Sequence, residues 1–381
     1  MIAKLVSLPD FEEELVKVGV DVRSIPLFSR KKETLLIRLF AIEAKAANIL
    51  KQLFLSSGGD VAVHKEVANF SCQFSDALCM GTKKCYEEVI EKSKDQSYFG
   101  LHTISFELKS ILQKLTIKHK KQIMGIVNVT PDSFSDGGQH LSLKNAMNRI
   151  HQMIQDGTDI IDIGGESSRP SAKEITVEEE LNRVIPVIEG TKELKQDIII
   201  SIDTTKQQVA EAASKKGATI INTIFLTKEM LTWLSTVQNP FVLMHMQGTP
   251  QNMQSFTSYS DVVEDILRFF DQIMQDIAHA GIDLSRIILD PGIGFAKTPE
   301  QNMQILHHLS SFQIFGLPFM LGVSRKSFMG KIWNLPLEER DLPTKMLSLY
   351  GFMKGASIIR VHETKDNIIA KTIFDSISFY A

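Results

Sequence analysis

The chain has 381 residues, 43% of them hydrophobic and 23% charged, as in a globular protein with a sizeable core. Its formal net charge of −3 gives no electrostatic reason to expect nucleic-acid or anionic-membrane partners. No apolar run approaches the roughly 20 residues that cross a bilayer, and the start carries Asp10 and Glu12–Glu14 instead of a secretory pattern. Cys72, Cys79 and Cys85 form no C-x-x-C pair and read as reduced thiols, so the expected location is cytoplasmic.

In chain order, residues 1–117 read as a small α+β or α/β domain. Ala46, Ile49, Leu50 and Leu53 recur at helical spacing up to Gly58-Gly59, and a strand over 61–63 follows. A short strand over 77–80 leads through Gly81 into a helix near 87–93, and another helix covers 101–115. Residues 118–122 form a charged linker. From 123 to 381 apolar strands alternate with amphipathic helices. Strands are expected over 123–128, 160–164, 198–203, 219–222, 241–245, 287–290, 319–323 and 358–361. Helices include 142–155, 177–195, 206–216, 260–280 and 365–378. Gly157, Gly217 and Gly281 are placed as helix ends. Eight strands and eight helices fit a (β/α)₈ TIM barrel. A doubly wound sheet is the alternative, but no glycine-rich dinucleotide fingerprint follows the first strand.

Polar residues cluster at the strand ends: Asn128, Gly164-Gly165-Glu166, Asp203, Asn222, His245, Asp290, Ser324-Arg325-Lys326, and Arg360 with His362. In a barrel those ends converge on one face, where active sites are built. The first strand runs into Ile126-Val-Asn-Val-Thr-Pro-Asp-Ser-Phe-Ser-Asp-Gly-Gly138, a loop rich in oxygen ligands.

These motifs resemble those of dihydropteroate synthase over roughly residues 123–377. The resemblance extends to Gly164-Gly-Glu-Ser-Ser-Arg-Pro170, Ser201-Ile-Asp-Thr204, Leu289-Asp-Pro-Gly-Ile-Gly-Phe-Ala-Lys297, Ser324-Arg-Lys326 and Arg360-Val-His362. It implies a transferase that condenses 6-hydroxymethyl-7,8-dihydropterin diphosphate with p-aminobenzoate, releasing pyrophosphate, with Mg²⁺ as cofactor and a homodimeric assembly. Asp290 matches the carboxylate that binds the amino/N3 edge of the pterin, Asp203 and Asn222 the residues that bind the other side of the ring, and Lys326 the lysine at its carbonyl; Met244 and Phe295 supply apolar walls. Asn128, Ser168, Arg169, Arg360 and His362 match the diphosphate site, with Asn128 the metal contact. Phe134, Ser168, Pro170, Lys326 and Ser327 match the p-aminobenzoate site. Lys326, Asp136 and Arg360 stand at the reacting end, and the first two loops are implied to cover it.

His245 reads as part of the site wall, with a satisfied structural histidine and a catalytic one as its two readings. The chain departs from the family at Thr223, Ser168, Glu363 and Pro343. Two other functions share the pocket: a methyltetrahydrofolate–corrinoid methyltransferase and a non-catalytic pterin-binding or regulatory protein. The diphosphate motifs argue against both. Residues 1–117 resemble the extension of some anaerobic bacterial members, with packing or oligomerisation as the expected role.

Overall fold

The computed structural model describes residues 11–130, 138–166, 174–249 and 252–379. Contacts divide the chain into two compact units, one of residues 1–117 with 314–316 and 378–381, the other of residues 118–313 with 317–377.

In the first unit, α1 (Phe11–Val18) and α2 (Ile25–Ser29) precede β1 (Thr34–Glu43), α3 (Ala44–Ser56), β2 (Asp60–Val63) and β3 (Phe74–Thr82). Helices α4 (Lys83–Ser93) and α5 (Leu101–Lys114) follow. The strands form an antiparallel sheet of order β1-β3-β2. Ile37, Val61, Ala77 and Cys79 on one face pack with Leu50, Phe54, Tyr86, Val89 and Leu108 of the helices. Phe54 and Tyr86 meet edge-on, ring centroids 5.0 Å apart. The buried Tyr86 hydroxyl lies 2.9 Å from the Cys79 carbonyl, which it reaches as donor.

Strand β1 is absent from the sequence expectations, although its signal is present. Leu35, Ile37 and Leu39 are at least partly buried while Leu36, Arg38 and Phe40 are exposed, which is the period of two of a half-covered strand. Strand β3 is also longer than 77–80. Thr82 ends it by capping α4, its hydroxyl accepting from Cys85 N.

The second unit contains the barrel. Its strands and helices alternate as β4 (Gln122–Asn128), α6 (Gly138–Asp156), β5 (Ile160–Gly164), α7 (Val177–Leu194), β6 (Ile199–Asp203) and α8 (Gln207–Lys215). Next come β7 (Ile220–Thr223), α9 (Lys228–Leu234), β8 (Phe241–Met244), α10 (Val262–His279), β9 (Ile287–Asp290) and α11 (Pro299–His307). Last are β10 (Met320–Leu321), α12 (Ser327–Trp333), α13 (Asp341–Met353), β11 (Ile358–Val361) and α14 (Lys365–Phe379). The eight strands run parallel in the order β10-β11-β4-β5-β6-β7-β8-β9. A parallel bridge between Leu289 and Phe319 joins the two ends, closing the TIM barrel that the alternation predicts.

Two details differ from the expected count. Strand β10 keeps only two residues of the 319–323 run. Two helices, α12 and α13, separate it from β11, because α12 stops at Asn334, which takes a left-handed φ of 54°. Pro343, a departure from the family pattern, falls in the first turn of α13, where a missing N–H leaves no hydrogen bond unmade. Gly157, Gly217 and Gly281 all have positive φ, as helix-ending positions require.

One apolar layer fixes which side chains face inward. Met124, Ile160, Ile220, Val242, Ile288, Met320 and Ile358, one from almost every strand, form a single buried cluster with Ile199 beside it. Two residues further along each strand the side chains return to the interior. Those positions are Ile126, Asp162, Ser201, Asn222, Met244, Asp290, Gly322 and Arg360. A greasy plug thus changes within one layer to carboxylates, an amide and a guanidinium.

Candidate active site

Asp162 organises the polar layer. Its Oδ2 accepts from Arg360 Nε at 2.6 Å and from Asn222 Nδ2 at 3.0 Å. The Arg360 Nη2 donates to Asp203 Oδ2. Asp162 is fully buried, and its Oδ1 has no hydrogen-bond partner among the described residues. A buried acceptor without a donor is costly. Burial opposes the charge of Arg360, but Asp162 and then Asp203 hold its pKa above the ordinary value. Burial in turn lifts Asp203 above the usual carboxylate range, against the pull of Arg360. Arg360, Asp203 and Asn222 were all expected at the site; Asp162 was not. Its signal was a lone carboxylate in the otherwise apolar run Ile160-Ile-Asp-Ile163, where an unpaired charge is rarely tolerated.

Asp290 ends β9 directly across from Met244 in the β8 register. Its Oδ1 accepts from Gly292 N at 2.8 Å, and burial raises its pKa. Gly292 has φ +69°, and a Cβ there would lie 2.1 Å from the His245 carbonyl oxygen, so only glycine fits this turn. Lys326 lies with Nζ 4.0 Å above the Phe295 ring, and a Cβ on Gly294 would approach its Cδ to 3.1 Å. Burial lowers the Lys326 ammonium to about 8, with Asp290 opposing the shift. The residues beside these two, Ala296 at φ 50° and Arg325 at φ 56°, are non-glycine residues in the left-handed region. Arg325 is held there by a bidentate pair with Asp341 at 2.7 and 2.8 Å and by its N–H donating to Thr344 Oγ1. Its guanidinium is thereby committed to α13, and the next residue, Lys326, brings a second cationic charge to the site besides Arg360. Ser327 is the exposed first residue of α12.

His362 follows β11 with its ring Nδ1 3.0 Å from Ser324 Oγ. Burial, then the neighbouring Arg360, depresses it to about 3, so it meets a ligand as a neutral imidazole. His245 is the structural histidine of the two expected readings. Its Nδ1 lies 3.1 Å from the buried Lys297 Nζ, and its ring packs edge-on against Phe269. Lys297 also donates to the Phe295 carbonyl at 2.9 Å, and burial lowers it to about 7. Thr223, another departure, turns its hydroxyl to the Phe225 carbonyl at 2.9 Å. Glu363 accepts from Asp366 N at the start of α14.

Asn128 ends β4, and its side-chain amide makes no hydrogen bond among the described residues. A Cβ on Gly164 would lie 3.7 Å from its Oδ1, so the glycine keeps that side of the amide open. A single neutral oxygen suits Mg²⁺, which keeps several waters and takes phosphate oxygens. No cluster of three or more His, Cys, Asp or Glu able to hold a metal occurs among the described residues. Phe134, Asp136, Ser168, Arg169 and Pro170 lie outside the described residues.

Comparison with known proteins matches this site to one family. The pterin binding enzyme family matches residues 124–362. The dihydropteroate synthase of Escherichia coli strain K12 is 43% identical over 256 residues, covering 67% of this chain and 90% of the relative. That of Bacillus subtilis is 45% identical over 255 residues, 66% of this chain and 86% of the relative. Among solved structures, Yersinia pestis dihydropteroate synthase in a sulfonamide drug complex superposes with a TM-score of 0.64 at 42% identity, covering 68% of this chain and 94% of that one. The Xanthomonas albilineans enzyme in complex with 7,8-dihydropteroate gives 0.61 at 36% identity, with 68% and 94% coverage. The chain therefore belongs to the dihydropteroate synthase family of pterin-binding enzymes.

Proposed function

We infer that the barrel joins 6-hydroxymethyl-7,8-dihydropterin diphosphate to p-aminobenzoate, giving 7,8-dihydropteroate and pyrophosphate. The observation that carries this is the layer of Asp162, Asn222, Asp290 and Arg360 over an apolar plug, with Asp203 and Lys326 beside it. A dihydropterin presents N–H donors along one edge and a carbonyl on its ring. The carboxylates and the Asn222 amide suit the donor edge, and the Lys326 ammonium suits the carbonyl. Met244 and Phe295 supply the flat apolar walls.

The reaction breaks the bond from the methylene carbon to the diphosphate oxygen, and the electron pair leaves with pyrophosphate. The aromatic amine then gives its lone pair to that carbon and loses a proton to solvent. An aromatic amine is unprotonated at neutral pH, so no strong base is required. The work of the protein is to hold the charges and exclude water. Arg360, Arg169, Ser168 and the neutral His362 are the diphosphate donors in this reading. Mg²⁺ on Asn128 would neutralise the departing charge. Phe134, Ser168, Pro170 and Ser327 border p-aminobenzoate, with Asp136 and Lys326 at the reacting end.

A homodimer is part of the same reading. Leu342, Met346 and Met353 on α13, and Ile369, Ile373 and Ile377 on α14, are exposed at helical spacing and form faces suited to a second copy. Among the described residues no helix is long and apolar enough to cross a membrane. The free cysteines fit a reducing cytoplasm.

The test is incubation of purified protein with both substrates and Mg²⁺. Release of pyrophosphate together with formation of dihydropteroate is expected. Tight pterin binding without turnover would replace this reading with that of a binding protein.

A further inference from the structure

Arg325, the residue before Lys326, is held in its left-handed turn by three groups from one short stretch of chain. A φ of 56° is unfavourable for a residue that bears a side chain, and such a turn persists only where its surroundings impose it. Asp341 takes the guanidinium at 2.7 and 2.8 Å, Thr344 Oγ1 accepts from the N–H at 3.2 Å, and Arg340 Nη1 donates to the carbonyl at 3.3 Å. Guanidinium, N–H and carbonyl are thus all engaged from residues 340–344. Thr344 is 2% exposed, and its hydroxyl is used twice. It donates to the Arg340 carbonyl at 2.6 Å, which leaves a lone pair for the Arg325 N–H. Arg340 is placed in turn by its Nε donating to the Leu335 carbonyl at 3.0 Å and by Gly330 of α12, where a Cβ would lie 2.3 Å from Nη2. Pro343, between the two anchors on α13, fixes its own φ and stiffens the turn that carries them.

Stability alone is a weak reason for these bonds. Arg325 and Asp341 are both partly exposed, and ion pairs of that kind contribute little. A glycine at 325 would take the turn with no anchor at all. The arrangement is explained by the residue that follows. Lys326 leaves the turn with its N–H on the Val323 carbonyl at 3.3 Å, and its side chain passes Gly294 to reach the face of Phe295. The loop after β9 therefore guides the far end of that side chain, and α13 fixes its root.

We infer that Arg340, Asp341 and Thr344 are positioning residues for the pterin, holding Arg325 in the left-handed turn so that the Lys326 ammonium is presented to the ring carbonyl. Their effect on the ligand passes through Lys326. The inference rests on the proposed function in taking Lys326 to meet the pterin. A hydrogen bond from an ammonium weakens steeply once its alignment is lost, so a small shift of the root is felt at the tip.

The experiment measures melting temperature and equilibrium affinity for 6-hydroxymethyl-7,8-dihydropterin, which carries no diphosphate. Thr344→Val and Thr344→Ser, neither of which changes a charge, are each made in the unaltered chain and together with Lys326→Ala. Thr344→Val is expected to weaken pterin affinity about tenfold, while Thr344→Ser, which keeps the hydroxyl, stays close to the unaltered affinity. With Lys326→Ala already present, Thr344→Val should change affinity by less than about twofold. A residue that merely supports the fold would weaken binding equally with and without Lys326. That result overturns the inference, as does unchanged affinity in a folded Thr344→Val variant. If Thr344→Val does not fold, Asp341→Asn, at the partly exposed anchor, is carried through the same comparison and decides the matter. Turnover by the unaltered protein reports separately on the proposed function. Dihydropteroate formation without dependence on Lys326 rejects the inference alone, and that dependence without turnover rejects the function alone.

Discussion

Arg360 on β11 and Asp162 on β5 meet at 2.6 Å across the intervening strand β4. That contact sets the charge of the whole layer, because the same carboxylate oxygen holds Asn222 and the same guanidinium holds Asp203. Asp162→Asn keeps the shape but removes the charge. Loss of a hydrogen bond to a charged group is worth about 1.5–3 kcal/mol, so kcat/KM for the dihydropterin diphosphate should fall roughly 10- to 100-fold. Steady-state kinetics with the pterin substrate varied checks this. Near-normal values would mean that Asp203 alone positions Arg360.

Lys326→Ala deletes the ammonium that rests on Phe295. A fall in kcat/KM of roughly 100-fold is expected, with little change in melting temperature, since burying this charge favours no fold in itself. Unchanged kinetics would remove Lys326 from the site.

Lys297 gives a pH signature of folding. Its pKa falls from 10.5 unfolded to about 7 in the folded barrel, chiefly through burial. The folded state therefore binds fewer protons between those values, and its contribution to stability is present above the unfolded pKa and lost as pH falls towards 7. Denaturant unfolding of Lys297→Met should show a flatter dependence of stability on pH over that window than the unaltered chain does. An identical slope in the two proteins would show that the Lys297 ammonium is not destabilised by its burial.

Removal of residues 1–117 should leave a folded barrel that still forms dihydropteroate. The residues of the polar layer all come from the second unit, and the family match begins at residue 124. The first unit carries its own core around Phe54 and Tyr86. Loss of turnover by a folded 118–381 fragment would assign the extension a part in catalysis.

Most of the barrel was legible because its strands are buried on both faces and bounded by glycines and caps. The expected 160–164 and 287–290 coincide with β5 and β9. The short β10 was not foreseen, since Gly322 and Val323 continue its apolar run but not its pairing. At the site, motif order brought out Asp203, Asn222, Asp290, Lys326 and Arg360 because each lies on or beside a strand end. Asp162 lies two residues earlier, inside β5, where its charge in an apolar run and the inward parity of the strand are the signals. The ion pairs of Lys206 with Glu166 and Glu180, each at 2.6 Å, were invisible for a different reason. Glu166, Glu180 and Lys206 come from three separate segments, and no spacing in the chain announces that they meet.

The left-handed turn at Arg325 gives the barrel an unusual lever. Lys326 is not carried by the sheet, since β10 ends at Leu321; it follows a residue bolted to Asp341 and Thr344 on α13. The outer side of that same helix carries the exposed Leu342 and Met346. Leu342 and Met346 on the outside of α13 therefore share one helix with the two residues that anchor the turn before Lys326.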